Sequence, residues 1–286
     1  MRRALTFTAL LGALLSPWVA SAQDAAPKRE ALKVCQDPNN LPFSNTKGEG
    51  IENRLAELFA KDLGIPVTYY SFPQRLAFIR NTLRYRLPGE EFRCDIVMGV
   101  PEGFDQVSAT KPYYRSTHAL VLPRGKGMDD VKSAADFLAL PAATRSKLRI
   151  GVFDRSAGSL WLVKHGMEAQ GVPYAALNPD PDSYPGQIVE RDLAQGKIDA
   201  AIVWGPIAGY YAKRVPAPGV VVIPMRAEPG VPFEAQIAMG VRYGEPEWKR
   251  QVESFIERRR DDITAVLREY GVPLLELQAP PPAAPR

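Results

Sequence analysis

Apolar positions along the chain alternate between two patterns. Short apolar runs at residues 32–35, 67–70 and 95–100 are separated by stretches where apolar residues recur at helical spacing. Ile51, Leu55, Leu58, Phe59 and Leu63 fall at i, i+4, i+7, i+8 and i+12, one face of a helix. Gly64 ends that helix and Pro66 keeps it ended. Ser71 and Gln74 have capping-box spacing with Pro73 in the first turn, which predicts a second helix carrying Leu76, Ile79 and Leu83. Residues 95–100 are apolar on both faces, as a central parallel strand requires. The order strand–helix–strand–helix–strand predicts a βαβαβ half with right-handed crossovers.

The pattern then repeats in kind. Residues 118–122 form a strand, and Pro123-Arg124-Gly125-Lys126-Gly127 marks a crossing into a second lobe. Residues 148–152 are a strand, and Ser156-Ala157-Gly158-Ser159 opens a helix through Leu160, Leu162 and Val163. Ile188 and Leu193 lie on a further helix. Gly196-Lys197-Ile198-Asp199 turns into a strand at 200–204. After a strand at 220–223, Pro224 marks the return, and residues 236–241 rejoin the first lobe. Two helices close the series, one with Trp248, Val252, Phe255 and Ile256, the other with Ile263, Val266, Leu267 and Tyr270. The expected fold is α/β, with two lobes joined by two hinge strands, each lobe a largely parallel sheet with helices on both faces. Lobe I takes residues 23–123 and 224–275, and lobe II residues 124–223. The alternative is one larger α/β domain without motion. Double connections favour hinge closure around a ligand.

The ends of the chain fall outside this pattern. Arg2 and Arg3 precede a mostly apolar run at 4–15 that is too short to span a bilayer, and Ala20-Ser21-Ala22 offers an A-x-A cleavage pattern. Residues 1–22 therefore read as a signal peptide cleaved after Ala22, which sends the chain to the periplasm. The Pro/Ala-rich residues 276–286 are expected to be disordered. The net charge of +4 falls to near +2 once Arg2 and Arg3 are removed, and no basic stripe marks a nucleic-acid surface. The two cysteines, Cys35 and Cys94, are an even count in an exported chain and lie on strands that can be neighbours. That favours a bridge, with two buried thiols as the alternative. His118 and His165, the only histidines, lack metal-ligand spacing, so neither a zinc site nor another cofactor is expected. His118 reads as a packed core residue.

The layout resembles the periplasmic substrate-binding proteins of ABC transporters that take small polar solutes. The phrases that carry this are Asp95-Ile96-Val97-Met98-Gly99, Thr110-Lys111-Pro112-Tyr113-Tyr114-Arg115-Ser116 and Gly196-Lys197-Ile198-Asp199-Ala200-Ala201. A narrower likeness rests on longer phrases. These are Cys35-Gln36-Asp37-Pro38-Asn39-Asn40-Leu41-Pro42-Phe43-Ser44, Gly50-Ile51-Glu52-Asn53-Arg54, Pro73-Gln74-Arg75, Arg80-Asn81-Thr82-Leu83, Arg93-Cys94-Asp95-Ile96-Val97-Met98-Gly99-Val100-Pro101 and Pro112-Tyr113-Tyr114-Arg115-Ser116-Thr117. In these the chain resembles the MxaJ/XoxJ family, exported binding-protein-like partners of PQQ-dependent methanol dehydrogenases. The resemblance implies a non-enzymatic periplasmic accessory of methanol oxidation that assists maturation or activation of the dehydrogenase. The other function considered is a solute receptor of an ABC transporter for an organic ligand.

Two departures from the transporter pattern bear on that choice. Amino-acid-binding relatives carry an arginine after the Gly99-type strand and an aspartate after the Ala200-type strand. Here those stretches are Val100-Pro101-Glu102-Gly103-Phe104-Asp105 and Val203-Trp204-Gly205-Pro206. Losing both the guanidinium grip and the ammonium counter-ion argues against an amino-acid ligand. Strand ends face the crevice in an open α/β sheet, so Asn40, Phe43, Pro101, Phe104, Tyr113, Tyr114 and Trp204 are the candidate cleft residues, with Arg75 and Ser156 as polar candidates. Each has a plainer role available: core packing for the rings, a solvated charge for Arg75, an ordinary N-cap for Ser156. Of adjacent Tyr113 and Tyr114, at most one is expected to point inward. Asp37, Asn39 and Asn40 can simply shape a turn. Glu102 and Asp105 are the nearest candidates for catalysis, which would need a general acid or base in the cleft; no nucleophile–base arrangement accompanies them.

Overall fold

The structure, a computed structural model, describes residues 29–74, 77–176, 180 and 182–278. The signal-peptide reading, Arg75, Leu76 and residues 279–286 of the tail lie outside the described residues. In chain order the first lobe opens with β1 (Leu32–Gln36), a small hairpin of β2 (Asn39–Asn40) and β3 (Ser44–Asn45), α1 (Ile51–Leu63), β4 (Val67–Ser71), α2 (Phe78–Asn81), β5 (Ile96–Pro101), β6 (Ser108–Ala109) and β7 (Tyr114–Pro123). There follow α3 (Ala134–Leu138), α4 (Ala142–Arg145), β8 (Ile150–Phe153), α5 (Ala157–Lys164), β9 (Gly171–Tyr174), a π-helical segment Ile188–Leu193, β10 (Ala200–Trp204), α6 (Gly205–Ala212) and β11 (Val220–Pro224). The chain returns through β12 (Glu234–Val241), α7 (Pro246–Arg258), α8 (Arg260–Glu269) and β13 (Leu274–Leu275).

The strands run in the order β4-β1-β5-β12-β7-β10-β8-β9, with β6 on β12 and both β11 and β13 on β7. The β4-β1-β5 and β10-β8-β9 runs are parallel, as the βαβ patterns require. Strands β12, β7 and β11 pair antiparallel with their neighbours, which makes the sheet mixed where the chain passes between lobes. The sequence places the first crossing after residue 123. In the structure β7 itself changes partners: Thr117 pairs with Glu234 of β12 and His118, the next residue, with Trp204 of β10. The return passes the same point. His118 N–H donates to Phe233 O (2.9 Å) and Met225 N–H donates to His118 O (2.8 Å).

Helix α1 forms where its apolar spacing predicts and buries Ile51, Leu55 and Phe59. The Phe59 ring stacks on Phe255 of α7 at 4.2 Å between centroids and on Trp248 at 5.6 Å. Among the described residues, the helix expected after Ser71 is the single turn α2. Ser71 Oγ instead accepts from Gln36 Nε2 at 2.9 Å, and Ala77 adopts a left-handed conformation (φ 67°) that helix propagation does not tolerate. The further helix expected around Ile188 and Leu193 forms and is wound as a π-helix.

Cys35 and Cys94 form a disulfide, with Cα atoms 5.3 Å apart. Parallel pairing of β1 with β5, Val34 opposite Ile96, brings the two segments side by side. Both cysteines are buried in an apolar cluster with Phe78, Ile79 and Leu83.

Candidate functional site

The carboxyl ends of β1 and β8 lead into a groove between the lobes, the kind of edge at which open α/β sheets bind ligands. The loop leaving β1 is held by a chain of amides. Gln36 is buried; Asn53 Nδ2 donates to its Oε1 at 2.8 Å. Asn53 Oδ1 in turn accepts from the backbone N–H of Asn45 and of Gly50, both at 3.1 Å. Asp37 accepts from Asn39 N–H at 2.8 Å and from the N–H of Gln74, while Asn40 Nδ2 donates to Gln74 Oε1 at 2.8 Å. Capping and turn chemistry, legible in the run of Asp, Asn and Pro, thus builds one wall of the opening.

Two hollows adjoin that wall. A groove of about 190 Å³ has Asp37, Asn40, Pro73 and Gln74 on the first-lobe side and Phe153, Ala175, Tyr184 and Pro185 on the second. Among its described lining residues there is no lysine or arginine. A second, more apolar hollow of about 300 Å³ lies on the first lobe between Phe78, Ile79, Val97, Val100, Pro101 and Phe104, with Gln74 shared between the two.

The residues singled out from sequence do not all converge. Asn40 lines the groove, and Pro101 and Phe104 line the apolar hollow. Phe43 and Trp204 are half-buried and pack against the main core; the Trp204 ring meets His118 edge-on at 5.3 Å. Tyr113 and Tyr114 are both buried, edge to face at 5.0 Å, and Tyr113 Oη donates to Met98 O at 2.9 Å. Ser156 caps α5, its Oγ accepting from Ser159 N–H at 3.3 Å. Arg75 lies outside the described residues.

The remaining chemical candidates lie at the surface or in structural contacts. Glu102 Oε2 accepts from Gln236 Nε2 at 2.7 Å at an exposed position, and Asp105 is exposed. His118 Nδ1 lies 2.8 Å from Phe233 O, and burial pushes its imidazole below the ordinary value. His165 Nε2 lies 3.1 Å from Glu228 Oε2, whose partner oxygen accepts from Trp161 Nε1 at 2.9 Å.

Glu52 is a residue that the sequence reading missed. It sits in the first turn of α1, and a Cβ on Gly99 would lie only 2.5 Å from its Oε1. Its side chain keeps some contact with solvent, but protein encloses it, and no lysine or arginine among the described residues pairs with it. Burial, and secondarily the nearby Asp37 charge, pushes its carboxyl up to about 8. The only sequence signal was Glu in a first helical turn, which ordinarily favours the ionised form. A carboxyl whose folded value is raised contributes stability that is complete at acid pH. That contribution is lost between about pH 4.5 and 8, because the folded state then holds a proton the unfolded state releases. Glu52→Gln is expected to flatten this decline, which amounts to at most about 1.4 kcal/mol per pH unit for one proton. Urea unfolding of both proteins at pH 5, 6.5 and 8 measures it, and parallel pH curves would refute it.

No family model matches the chain. The protein MoxJ of Methylorubrum extorquens is 26% identical over 269 residues, covering 89% of this chain and 85% of that protein. The crystal structure of MxaJ from Methlophaga aminisulfidivorans MPT superposes with a TM-score of 0.69 at 24% identity, over 85% of this chain and all of that one. The crystal structure of the periplasmic binding protein XoxJ from Methylobacterium extorquens AM1 is 35% identical, with a TM-score of 0.66 over 86% of this chain and 100% of that one. With identity at that level across the whole of XoxJ, and a fold that superposes on both crystal structures, the chain belongs to the MxaJ/XoxJ family of periplasmic binding proteins.

Proposed function

We propose that this protein is an exported, non-enzymatic partner of a PQQ-dependent methanol dehydrogenase, assisting its maturation or activation through the opening between the lobes. The observation that carries this is the 35% identity over the full length of XoxJ. The chemistry of the opening supports it. The groove offers Asp37, Asn40 and Gln74 beside the rings of Phe153 and Tyr184, without a described cationic side chain to grip a carboxylate. Pro101 and Phe104 extend this surface onto the first lobe. Aromatic and amide groups of this kind suit a segment of a partner protein, since rings give large contact area with few torsions to freeze. Phe43 and Trp204 act as supports behind that surface, and Ser156 as a helix cap. Glu102 and Asp105, spent on a surface hydrogen bond and on solvent, take no catalytic role.

Affinity capture from native periplasm, with mass spectrometry of retained proteins and small molecules, tests the proposal. Recovery of the quinoprotein dehydrogenase, and reduced dehydrogenase activity in a strain lacking this protein, is the expected result. An unretained enzyme with normal activity in the deletion strain would refute it. A tightly held small metabolite that raises the melting temperature would favour the solute-receptor reading instead.

A further inference from the structure

We infer that the two lobes are riveted into one rigid body, so that the opening between them receives its occupant without closing over it. Two connecting strands define a hinge axis, and a lobe joined only by them can rotate about it. Here there is a third attachment away from the axis. Helix α6, which belongs to the second lobe, runs along the chain that follows α8 in the first. At its start a Cβ on Gly205 would lie 2.3 Å from Thr117 O, so it abuts the crossing point itself. One turn later a Cβ on Gly209 would lie 1.8 Å from Gly271 O, backbone against backbone. The helix then leaves the axis. Tyr210 stacks on Tyr270 at 5.6 Å with the rings 10° from parallel, Tyr211 Oη donates to Leu41 O at 3.1 Å, and Lys213 Nζ donates to Glu269 O at 2.7 Å.

Eight residues of helix span about 12 Å, so these contacts extend well beyond the hinge strands. The packing behind them is continuous. Phe59, Leu267 and Val272 of the first lobe share one apolar core with Ile188, Ala208 and Tyr211 of the second. Rotation about β7 would have to part this core, and close-packed interiors do not deform continuously. One flank of the opening is therefore sealed, and the flank with Asp37, Asn40, Phe153 and Tyr184 is left as the way in. The inference deepens the proposed role. A receptor that captures and releases a solute must open and close, whereas a docking platform for a partner protein need not.

Nitroxide labels at Lys61→Cys on α1 and Lys147→Cys before β8, both exposed positions, report the separation of the lobes by pulsed dipolar spectroscopy. The native cysteines are tied up in their disulfide and do not label. A single narrow distance distribution is expected, unchanged when the purified dehydrogenase or a periplasmic metabolite extract is added. Gly209→Val should broaden it or add a longer component, and Tyr210→Ala, which adds no volume, is the second variant if the first fails to fold. Two populations in the otherwise unmodified protein, or a shortened distance on addition of either probe, would overturn the inference. The capture experiment reads separately: a rigid protein that retains no dehydrogenase would sink the proposed role and leave the rivet standing, and a moving one that retains it would do the reverse.

Discussion

Replacing Arg242 by methionine should destabilise the protein by about 3–5 kcal/mol, the cost of removing one member of a buried ion pair. Arg242 is 7% exposed and holds together three segments of the first lobe. Its Nη2 donates to Asp95 Oδ1 at 2.7 Å, its Nη1 to Leu83 O at 3.1 Å and to Cys94 O, and its Nε to Glu245 Oε1 at 2.6 Å. The guanidinium also lies 4.1 Å from the centre of the Phe92 ring. Methionine fills the space but leaves two carbonyls and the carboxylates of Asp95 and Glu245 short of donors, and desolvated acceptors carry the penalty. Arg29, 2.9 Å from the other Asp95 oxygen and 3.3 Å from the other Glu245 oxygen, limits the loss at the two carboxylates. Denaturant unfolding measures the effect, and a change within 1 kcal/mol would mean that the carbonyls find water. Asp95→Asn, which keeps an acceptor for Arg242 and removes only charge, should cost less.

Removing the Cys35–Cys94 bridge should be about as costly. A loop closed over 59 residues of separation corresponds, in the chain-entropy account, to about 4 kcal/mol of stabilisation. For a chain of this size that is on the order of 10 °C in melting temperature. The Cys35→Ala/Cys94→Ala double variant should lose this, and the parent protein should lose a similar amount once fully reduced. If thermal unfolding of the double variant matched the oxidised parent, the bridge would be a passenger in the cluster around Phe78 and Leu83. The bridge and Arg242 act on the same piece of chain. Both fix the start of β5, whose other end carries Gly99 and Pro101 at the apolar hollow. Slack at residues 94–95 is therefore expected to loosen the Glu52–Gly99 contact and the apolar hollow together.

Much of the architecture follows from local pattern. The face of α1 is written in five apolar residues at helical spacing, and Gly64 with Pro66 writes its end. The Gly196–Asp199 turn into β10 and the double crossing were readable for the same reason: each is decided by residues within a turn or a strand of one another. The helix after Ser71 was misread because the same Ser and Gln that can cap a helix are taken here by partners distant in sequence, Gln36, Asp37 and Asn40. Where β7 changes lobe was hidden because an apolar strand pairs equally well with either neighbour along its length.

What the sequence determined alone is the order of most strands and helices, the two-lobed plan and the family phrases. Spacing, turn chemistry and composition act over short stretches, and one chain displays them without its fold. The tertiary structure decided that Tyr113 and Tyr114 are both buried, that Glu52 pairs with no lysine or arginine among the described residues, and that Gly209 lies against Gly271. Each depends on the close approach of segments far apart in the chain. Such approach is governed by packing and desolvation, which no local pattern encodes.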